Sequence, residues 1–321
     1  MERQLAGPAV EEQNNQRPGD SAPRPGDIAV WKRKSFQQAT HKVLVYILCI
    51  ALGALVLMPM GWMLTAALKP SGDQVYTIPP EWFPTRSFHF ENFWLVLVNE
   101  DFPLLGPTLN TLLLIVLNIV GVLLSNTLVA YGFAHYRFPG RERLFQLVIL
   151  TMLIPGVVLM VPSFLLFLQM GWYNTYLPLW VPAFFGAPFF IFIARQYMRS
   201  IPPEMLEAAR IDGAGVLRSY WHIVLPLCKP VMVVMTVFTF QNVWSDFVGP
   251  LLYVSDEAKF TLPIALAYYR AQSGHAAAQG ANSSLHLLMA GTFLVALPPL
   301  LLYFLVQKQL IGGIARIGLK G

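Results

Sequence analysis

Six long apolar stretches separated by polar ones dominate the pattern along this chain. They cover residues 43–68, 108–133, 144–168, 176–197, 225–247 and 285–306. Each stretch holds about 20 or more mostly apolar residues, which as a helix rising 1.5 Å per residue can cross a hydrocarbon core of about 30 Å. The pattern therefore predicts an all-α polytopic membrane protein with six transmembrane helices.

Composition supports this class of protein. Hydrophobic residues make up 55% of the 321 and charged residues 12%, and the mean hydropathy is +0.53. A soluble core does not need so much apolar surface. The first stretch starts late and is too long for a signal peptide, so we expect it to remain in the mature protein.

Helix-breaking residues interrupt several of these stretches. The fourth contains four of them, namely Pro178, Pro182, Gly186 and Pro188. A broken span needs neighbouring helices to satisfy its freed carbonyl groups, so we expect this one inside a bundle. Prolines 155 and 162 in the third stretch, and 298 and 299 in the sixth, are interpreted as static kinks that shape packing, with hinges that let the bundle rock as the alternative.

The basic residues predict the orientation in the membrane. With the N-terminus inside, 18 of the 22 Lys and Arg fall in inner segments, and the outer segments hold Lys69, Arg86, Lys259 and Arg270. Under the positive-inside rule this bias predicts that both termini and segment 198–224 lie in the cytoplasm. The protein is expected in the plasma membrane. The net charge of +5 is thus interpreted as a sorting signal, and no nucleic-acid partner is expected.

Three polar regions flank or connect the spans. Residues 1–42 are predicted to form a disordered cytoplasmic tail, because the first 30 are rich in Pro, Gln, Asn and Gly. Residues 307–321 are predicted to form a second cytoplasmic tail. Segment 249–284 lacks clear periodicity and is predicted to be a long outer loop that either docks a partner protein or is partly disordered.

A short amphipathic helix is predicted within the polar segment 200–226. Pro202 and Pro203 fit only a first turn, Glu204 suits the positive end of the helix dipole, and Gly213 can close the helix. About ten residues are too few to cross a membrane. The helix carries three acids and one Arg, which favours docking into a protein groove over resting on anionic lipid headgroups.

Residues in this segment resemble a known motif. Residues 207–214, with the sequence EAARIDGA, together with Ile223, Pro226 and Pro230, resemble the EAA loop of bacterial ABC importer permeases. Residues 244–247 and the chain's ending, 307–321, are similar to the carbohydrate-uptake branch, in particular to the maltose-type second permease subunits. The similarity covers residues 43–321.

The resemblance implies a fold, a function and a set of partners. The fold is the ABC type I importer permease fold, with residues 43–306 as a permease domain that includes a cytoplasmic coupling helix. The implied partners are a homologous second permease subunit, two cytoplasmic ATP-binding subunits, an extracytoplasmic solute-binding protein, membrane lipid and a sugar. Residues with an implied role in coupling to the ATPase are Glu207, Ala208, Ala209, Asp212 and Gly213.

Polar side chains gather near the outer end of the fifth stretch. These are Gln241, Asn242, Trp244, Ser245 and Asp246, whose amide, indole and carboxylate groups suit hydrogen bonding to and stacking on a sugar. Trp and Asp at this depth are equally typical of an interfacial anchor. We therefore interpret this cluster as a candidate substrate pathway, with the anchor as the alternative.

Two other classes of function have residue requirements that can be compared with this sequence. An ion-coupled secondary carrier would need ionisable groups near the membrane midplane and is the alternative function. A membrane enzyme would need a catalytic or metal constellation, whereas the six His are scattered and Cys49 and Cys228 indicate neither a disulfide nor a metal site. No phosphate-binding loop GxxxxGK[ST] is present, so we expect no cofactor here and ATP hydrolysis on separate subunits.

Overall fold

In the computed structural model the protein consists of helices and turns, and the described residues contain no strand. The structure describes residues 25–71, 75, 81–84, 87–98, 103–278 and 284–318, and for 25–39, 275–278 and 308–318 it gives the backbone only. The helices in chain order are α1 Pro25–Ala67, α2 Glu91–Val98, α3 Leu105–His135, α4 Arg141–Thr151, α5 Gly156–Gln169, α6 Leu177–Trp180, α7 Pro188–Met198, α8 Pro203–Ile211, α9 Val216–Ser219, α10 Leu225–Leu227, α11 Lys229–Trp244, α12 Val248–Tyr253, α13 Leu262–Ala278 and α14 Leu285–Gly318.

The described helices offer between four and six membrane spans by length and composition. Four continuous segments qualify: Thr40–Ala67, Leu105–His135, Leu177–Met198 and Leu285–Gln307. Two further candidates are bent pairs, α4 with α5 at 94° and Val216–Leu227 with α11 at 76°. The all-α membrane fold is confirmed, and the bent pairs coincide with the predicted third and fifth stretches.

The third stretch is more sharply bent than a kinked helix. α4 ends at Thr151, and α5 begins after Pro155, whose backbone is extended (φ −62°, ψ 130°). Proline disfavours helical geometry in the residue before it and supplies no N–H to continue the ladder, so the chain turns here. The helix therefore breaks at Pro155, which is a larger change than the kink expected there. Pro162 lies inside α5 and does not interrupt it.

The ends of the first and last spans extend into the predicted tails. α1 begins at Pro25, so the backbone of residues 25–42 is helical, and residues 1–24 of the predicted tail lie outside the described residues. No Gly or Pro follows Gly26 before Gly53, and the apolar span supplies a helix that can propagate toward the N-terminus. α14 likewise continues past residue 306 to Gly318.

Segment 249–284, predicted to be a long loop, contains all of α13 and all but the first residue of α12. Side chains of α3 hold the connection between them: Asn110 donates hydrogen bonds to the carbonyls of Ala258 and Phe260, both at 3.0 Å. Thr111 Oγ1 accepts a bond of 2.9 Å from the Leu262 amide. This packing orders a segment whose local periodicity is weak, while residues 279–283 lie outside the described part.

The broken fourth span is satisfied by polar side chains of α3, as predicted for a span inside a bundle. Asn126, fully buried, accepts a 2.6 Å hydrogen bond from the Ala187 amide. Asn118 donates to the Leu179 carbonyl at 3.0 Å, and Ser125 donates to the Ala183 carbonyl at 3.0 Å. These bonds replace the helical bonds lost where α6 passes through a 3₁₀ turn into α7.

Buried apolar residues form two clusters in the part of the chain after residue 60. The first, here called the α3–α7–α11 core, includes Tyr131, Met198, Leu206, Tyr220 and Met235. The second joins α2, α3, α13 and α14 around Val96, Ile115 and Leu288. Segment 200–226 therefore contributes Leu206 and Tyr220 to the same core as α3, α7 and α11.

Candidate functional site

The predicted amphipathic helix is present as α8, with ends set by the residues that indicated them. Pro202 and Pro203 occupy its start, and Glu204 lies in its first turn. Gly213 has a φ of +79° and donates a 3.0 Å hydrogen bond to the Arg210 carbonyl, while Ala214 donates to Ala209 at 2.8 Å. A glycine is favoured at Gly213 because only glycine adopts this left-handed backbone without strain.

α8 has one face buried in its own chain and one face exposed. Leu206 and Ala209 are 5% and 7% exposed. The opposite face presents Glu207 and Ala208, and Ile211 beside them is 87% exposed. Ala209 packs inward against its own chain, whereas Asp212 and Gly213 are exposed, and the contact of these motif residues with an ATPase stays a prediction.

α8 is tied to the end of α3 as well as to the α3–α7–α11 core. Leu206 packs in that core with Met198 and Ile201. The Arg210 guanidinium lies 5.8 Å from the centre of the Tyr136 ring, within the range of a cation–π contact. Displacement of α8 would thus act directly on the residues that follow α3.

A cluster of tyrosines and a threonine links α3 to the second half of the segment. Tyr131 Oη lies 3.0 Å from Tyr136 Oη and donates to the Val216 carbonyl at 3.2 Å. Tyr220 is 1% exposed, and its hydroxyl forms a 2.7 Å hydrogen bond with Thr127 Oγ1. The sequence patterns gave no role to these residues. Their one indication in the sequence is Tyr220, an aromatic residue late in segment 200–226.

The fifth stretch begins with irregular helix rather than a continuous span. Residues Tyr220–Val224 form a π-helical turn, α10 is short, and α11 starts only at Lys229. Pro226 and Pro230 lack the amide hydrogens that a continuous ladder requires, which accounts for the bend of 76° between the two parts. The span predicted over 225–247 is therefore α11, preceded by a break at Cys228.

The candidate pathway residues divide into an exposed pair and an engaged pair. Gln241 and Asn242 are exposed near the end of α11. Trp244 is 5% exposed, its Nε1 donates to the Val295 carbonyl at 3.1 Å, and its ring stacks on Phe240. The Trp244 indole thus anchors α11 to α14, which is the alternative given for this cluster, and contact of the cluster with a sugar stays a prediction.

Asp246 has a structural partner in the turn after α11. Its Oδ1 accepts a 3.0 Å hydrogen bond from the Gly249 amide, at the start of α12. Burial raises the pKa of the Asp246 carboxyl, and hydrogen bonds from the Gly249 and Val248 backbone act in the opposite direction. A Cβ at Gly249 would lie 2.5 Å from Asp246 Oδ2, so this turn is closely packed.

Metal chemistry has no evident place in the described part of the chain. Within it, no group of three or more His, Cys, Asp or Glu side chains is arranged to hold an ion. Cys49 and Cys228 are both free thiols. The candidate site consists of α8, the residues that anchor it and the end of α11.

The helical fold with a short helix projecting between broken membrane spans defines an integral-membrane permease of the ABC importer type. A family model described as "Binding-protein-dependent transport system inner membrane component" matches residues 126–315. That match covers more than half of the 321 residues, and the chain belongs to this family.

Curated relatives and a solved structure agree with this class. The chain is 28% identical over 289 residues to the arabinooligosaccharides transport system permease protein AraQ of Bacillus subtilis, covering 90% of this chain and 99% of the relative. It is 28% identical to the diacetylchitobiose uptake system permease protein NgcG of Streptomyces coelicolor, covering 84% and 86%. A bacterial ABC transporter involved in alginate import has the same fold, with a TM-score of 0.71 at 22% identity over 85% of this chain and 97% of that one.

Proposed function

We propose that this chain is one of two permease subunits of an ATP-driven sugar importer and that α8 transmits the movement of cytoplasmic ATPase subunits to the membrane helices. The observation that carries the proposal is the division of α8 into an anchored face, with Leu206, and an unpartnered face, with Glu207 and Ile211. A sugar is proposed as cargo because the relatives are named for arabinooligosaccharides and diacetylchitobiose.

The exposed face of α8 has the chemistry to seat in a groove of another protein. Met205 and Ile211 are 42% and 87% exposed, and Glu207 lies between them along the helix. Burying one such aliphatic side chain contributes about 1.5–3 kcal/mol, and a charge-assisted hydrogen bond to Glu207 about 1.5–3 kcal/mol. Shifting a two-state bundle from 1:99 to 99:1 takes about 5.5 kcal/mol, so contacts of this kind are of adequate scale.

The anchored face provides the route by which movement would spread. Leu206 transfers displacement to α7 and α11 through the α3–α7–α11 core, and Arg210 transfers it to α3 through Tyr136. The chain bends by 94° between α4 and α5 and by 76° before α11, and we infer that the segments on either side of these bends rotate relative to each other. We infer that closure of the ATPase subunits draws the helix ends near α8 together and opens the opposite ends.

The remaining roles follow from the same assembly. A soluble extracytoplasmic receptor is proposed to deliver the sugar, since a solved importer of this fold is described in complex with a pentasaccharide-bound periplasmic protein. Exposed apolar side chains along 43–58 of α1 are proposed to face lipid or the second permease subunit. Gln241 and Asn242 are proposed to line the pathway, and the N-terminus and α8 to lie in the cytoplasm.

The matched variants Glu207→Ala and Glu204→Ala test the proposal. Both residues are exposed acids of α8, and only Glu207 is assigned to the ATPase contact. In membranes holding the complete importer, we expect Glu207→Ala to lower sugar uptake per ATP hydrolysed at least about tenfold, as loss of a charge-assisted hydrogen bond predicts. Glu204→Ala should stay within about twofold of wild type, because it removes only a helix-dipole contact.

Membrane content of both variants, measured by immunoblot, separates coupling from loss of protein. Unchanged uptake in Glu207→Ala would contradict the assigned role of this side chain. Uptake that survives ATP depletion and follows a proton or sodium gradient would instead support the ion-coupled alternative.

A further inference from the structure

A cavity of about 490 Å³ opens at the turn between α3 and α4. The side chains and backbone that line it belong to Arg137, Phe138, Gly140, Arg141, Glu142 and Arg143. Three of these six residues are arginines and one is acidic. The mechanism proposed above gives these six residues no role, and the positive-inside rule accounts for the presence of the arginines but not for their arrangement around a cavity.

The carboxylate of Glu142 is already committed to other arginines. Its Oε1 accepts a 2.7 Å hydrogen bond from Arg141, and its Oε2 accepts one of 3.1 Å from Arg195. The Arg195 side chain is only 4% exposed, and its guanidinium lies 3.8 Å from the centre of the Phe145 ring. Glu142 thus compensates the buried charge of Arg195 in α7 and one arginine of the cavity, Arg141, and it forms no ion pair with Arg137 or Arg143 among the described residues.

Two arginines of the rim are left without an anionic partner. Arg137 and Arg143 are exposed, and neither takes part in any ion pair found among the residues that the structure describes. Arg141, in contrast, is held in place by a 3.1 Å hydrogen bond to the Tyr136 carbonyl. The cavity therefore combines one fixed and two free guanidinium groups around a space large enough for a phosphate and its substituents.

Exposed apolar side chains adjoin the arginines of the cavity in the sequence. Phe138 is 39% exposed, and Leu144 and Leu147 in the first turns of α4 are 48% and 58% exposed. These apolar side chains are close to the arginines in the sequence. A lipid bound here would place its headgroup at the arginines and its acyl chains at the apolar side chains. A soluble inorganic phosphate has no apolar part that would contact these side chains.

We propose that this cavity binds the phosphate of an anionic phospholipid headgroup, with Arg137 and Arg143 as its ligands. Guanidinium groups match phosphate oxygens with two parallel hydrogen bonds, and basic pockets beside membrane helices suit anionic headgroups. The lipid would be held one residue from Tyr136, the ring on which Arg210 of α8 rests.

Native mass spectrometry of the purified full-length chain tests this site with phosphatidylglycerol, phosphatidylcholine and inorganic phosphate as probes. We expect wild type to retain phosphatidylglycerol in preference to phosphatidylcholine. The variant Arg137→Gln/Arg143→Gln should bind phosphatidylglycerol about tenfold more weakly or worse, given the attraction of each basic residue to anionic lipid. The matched control Arg218→Gln/Lys229→Gln removes the same charge from exposed positions elsewhere and should bind as wild type does.

A second double variant, Arg137→Lys/Arg143→Lys, keeps the positive charge. It controls for a folding defect in the Arg137→Gln/Arg143→Gln variant. We expect it to lose part of the affinity, because an ammonium group cannot form the two parallel hydrogen bonds. Equal losses in the two Gln pairs, or wild-type affinity in the Lys pair, would overturn the site. Release of phosphatidylglycerol by inorganic phosphate would identify a soluble phosphate as the ligand and overturn the lipid assignment.

Discussion

Leu206 and Ile211 are aliphatic side chains of the same short helix in opposite surroundings. Leu206 is 5% exposed and packs in the α3–α7–α11 core, whereas Ile211 is 87% exposed. Replacing each by alanine removes similar apolar volume from α8. If α8 is anchored on one face and docks through the other, the two variants must fail in different ways.

Leu206→Ala should destabilise the chain itself by about 2–5 kcal/mol, the range for creating a cavity from a buried leucine. α8 has nine residues and buries only Leu206 and Ala209. A helix of this length is not stable without tertiary contacts. We therefore expect the loss to appear mainly as local detachment of α8.

Ile211→Ala should leave the chain by itself unchanged, because its side chain makes little contact there. In the assembled importer it should weaken the association with the ATPase by the value of burying one aliphatic side chain. That value is about 1.5–3 kcal/mol, or roughly a 10- to 150-fold change in affinity.

Amide hydrogen exchange of 203–211 in the purified chain, together with its thermal unfolding, reports the first effect. Binding of the co-expressed ATPase to the immobilised chain reports the second. Equal loss of exchange protection in both variants would refute the two-faced reading of α8. An Ile211→Ala chain that binds the ATPase as wild type does would refute docking through this face.

Two other predictions concern the same segment. Gly213→Ala should destabilise α8 by about 1 kcal/mol, because an alanine at a φ of +79° is strained although nothing obstructs its Cβ. Gly215→Ala, at a φ of −70° and equally unobstructed, should be neutral or slightly stabilising in the same thermal unfolding, and equal effects would argue against the left-handed cap. Tyr220→Phe should cost about 1 kcal/mol by removing the buried hydrogen bond to Thr127, and in a double-mutant cycle with Thr127→Val the two effects should not add.

Much of the architecture could be read from local patterns. Long apolar runs placed the membrane segments near their observed positions, because a span must satisfy its own backbone in a helix wherever it lies in the bundle. α8 was predicted nearly to the residue, since the prolines at its start and Gly213 at its end act on the backbone within one or two positions. The interruption of the fourth span followed from its four breaking residues.

Other features depended on residues distant in sequence. α13 forms in a segment of weak periodicity because Asn110 and Thr111, far earlier in the chain, hold the connection before it. Trp244 looked like a residue that could stack on a sugar, but the carbonyl of Val295 and the ring of Phe240 engage it. Ala209 belongs to the motif, yet it faces inward because Leu206 sets which side of α8 is buried.

The amino-acid sequence alone thus determined the membrane class, the approximate spans and the short amphipathic helix α8, since hydrophobicity and backbone restrictions act locally. Only the tertiary structure decided which face of α8 is exposed, which side chains near the end of α11 are engaged and which arginines form no ion pair within the described part of the chain. Those properties depend on contacts between elements many residues apart. Local hydropathy and residue spacing do not encode such contacts.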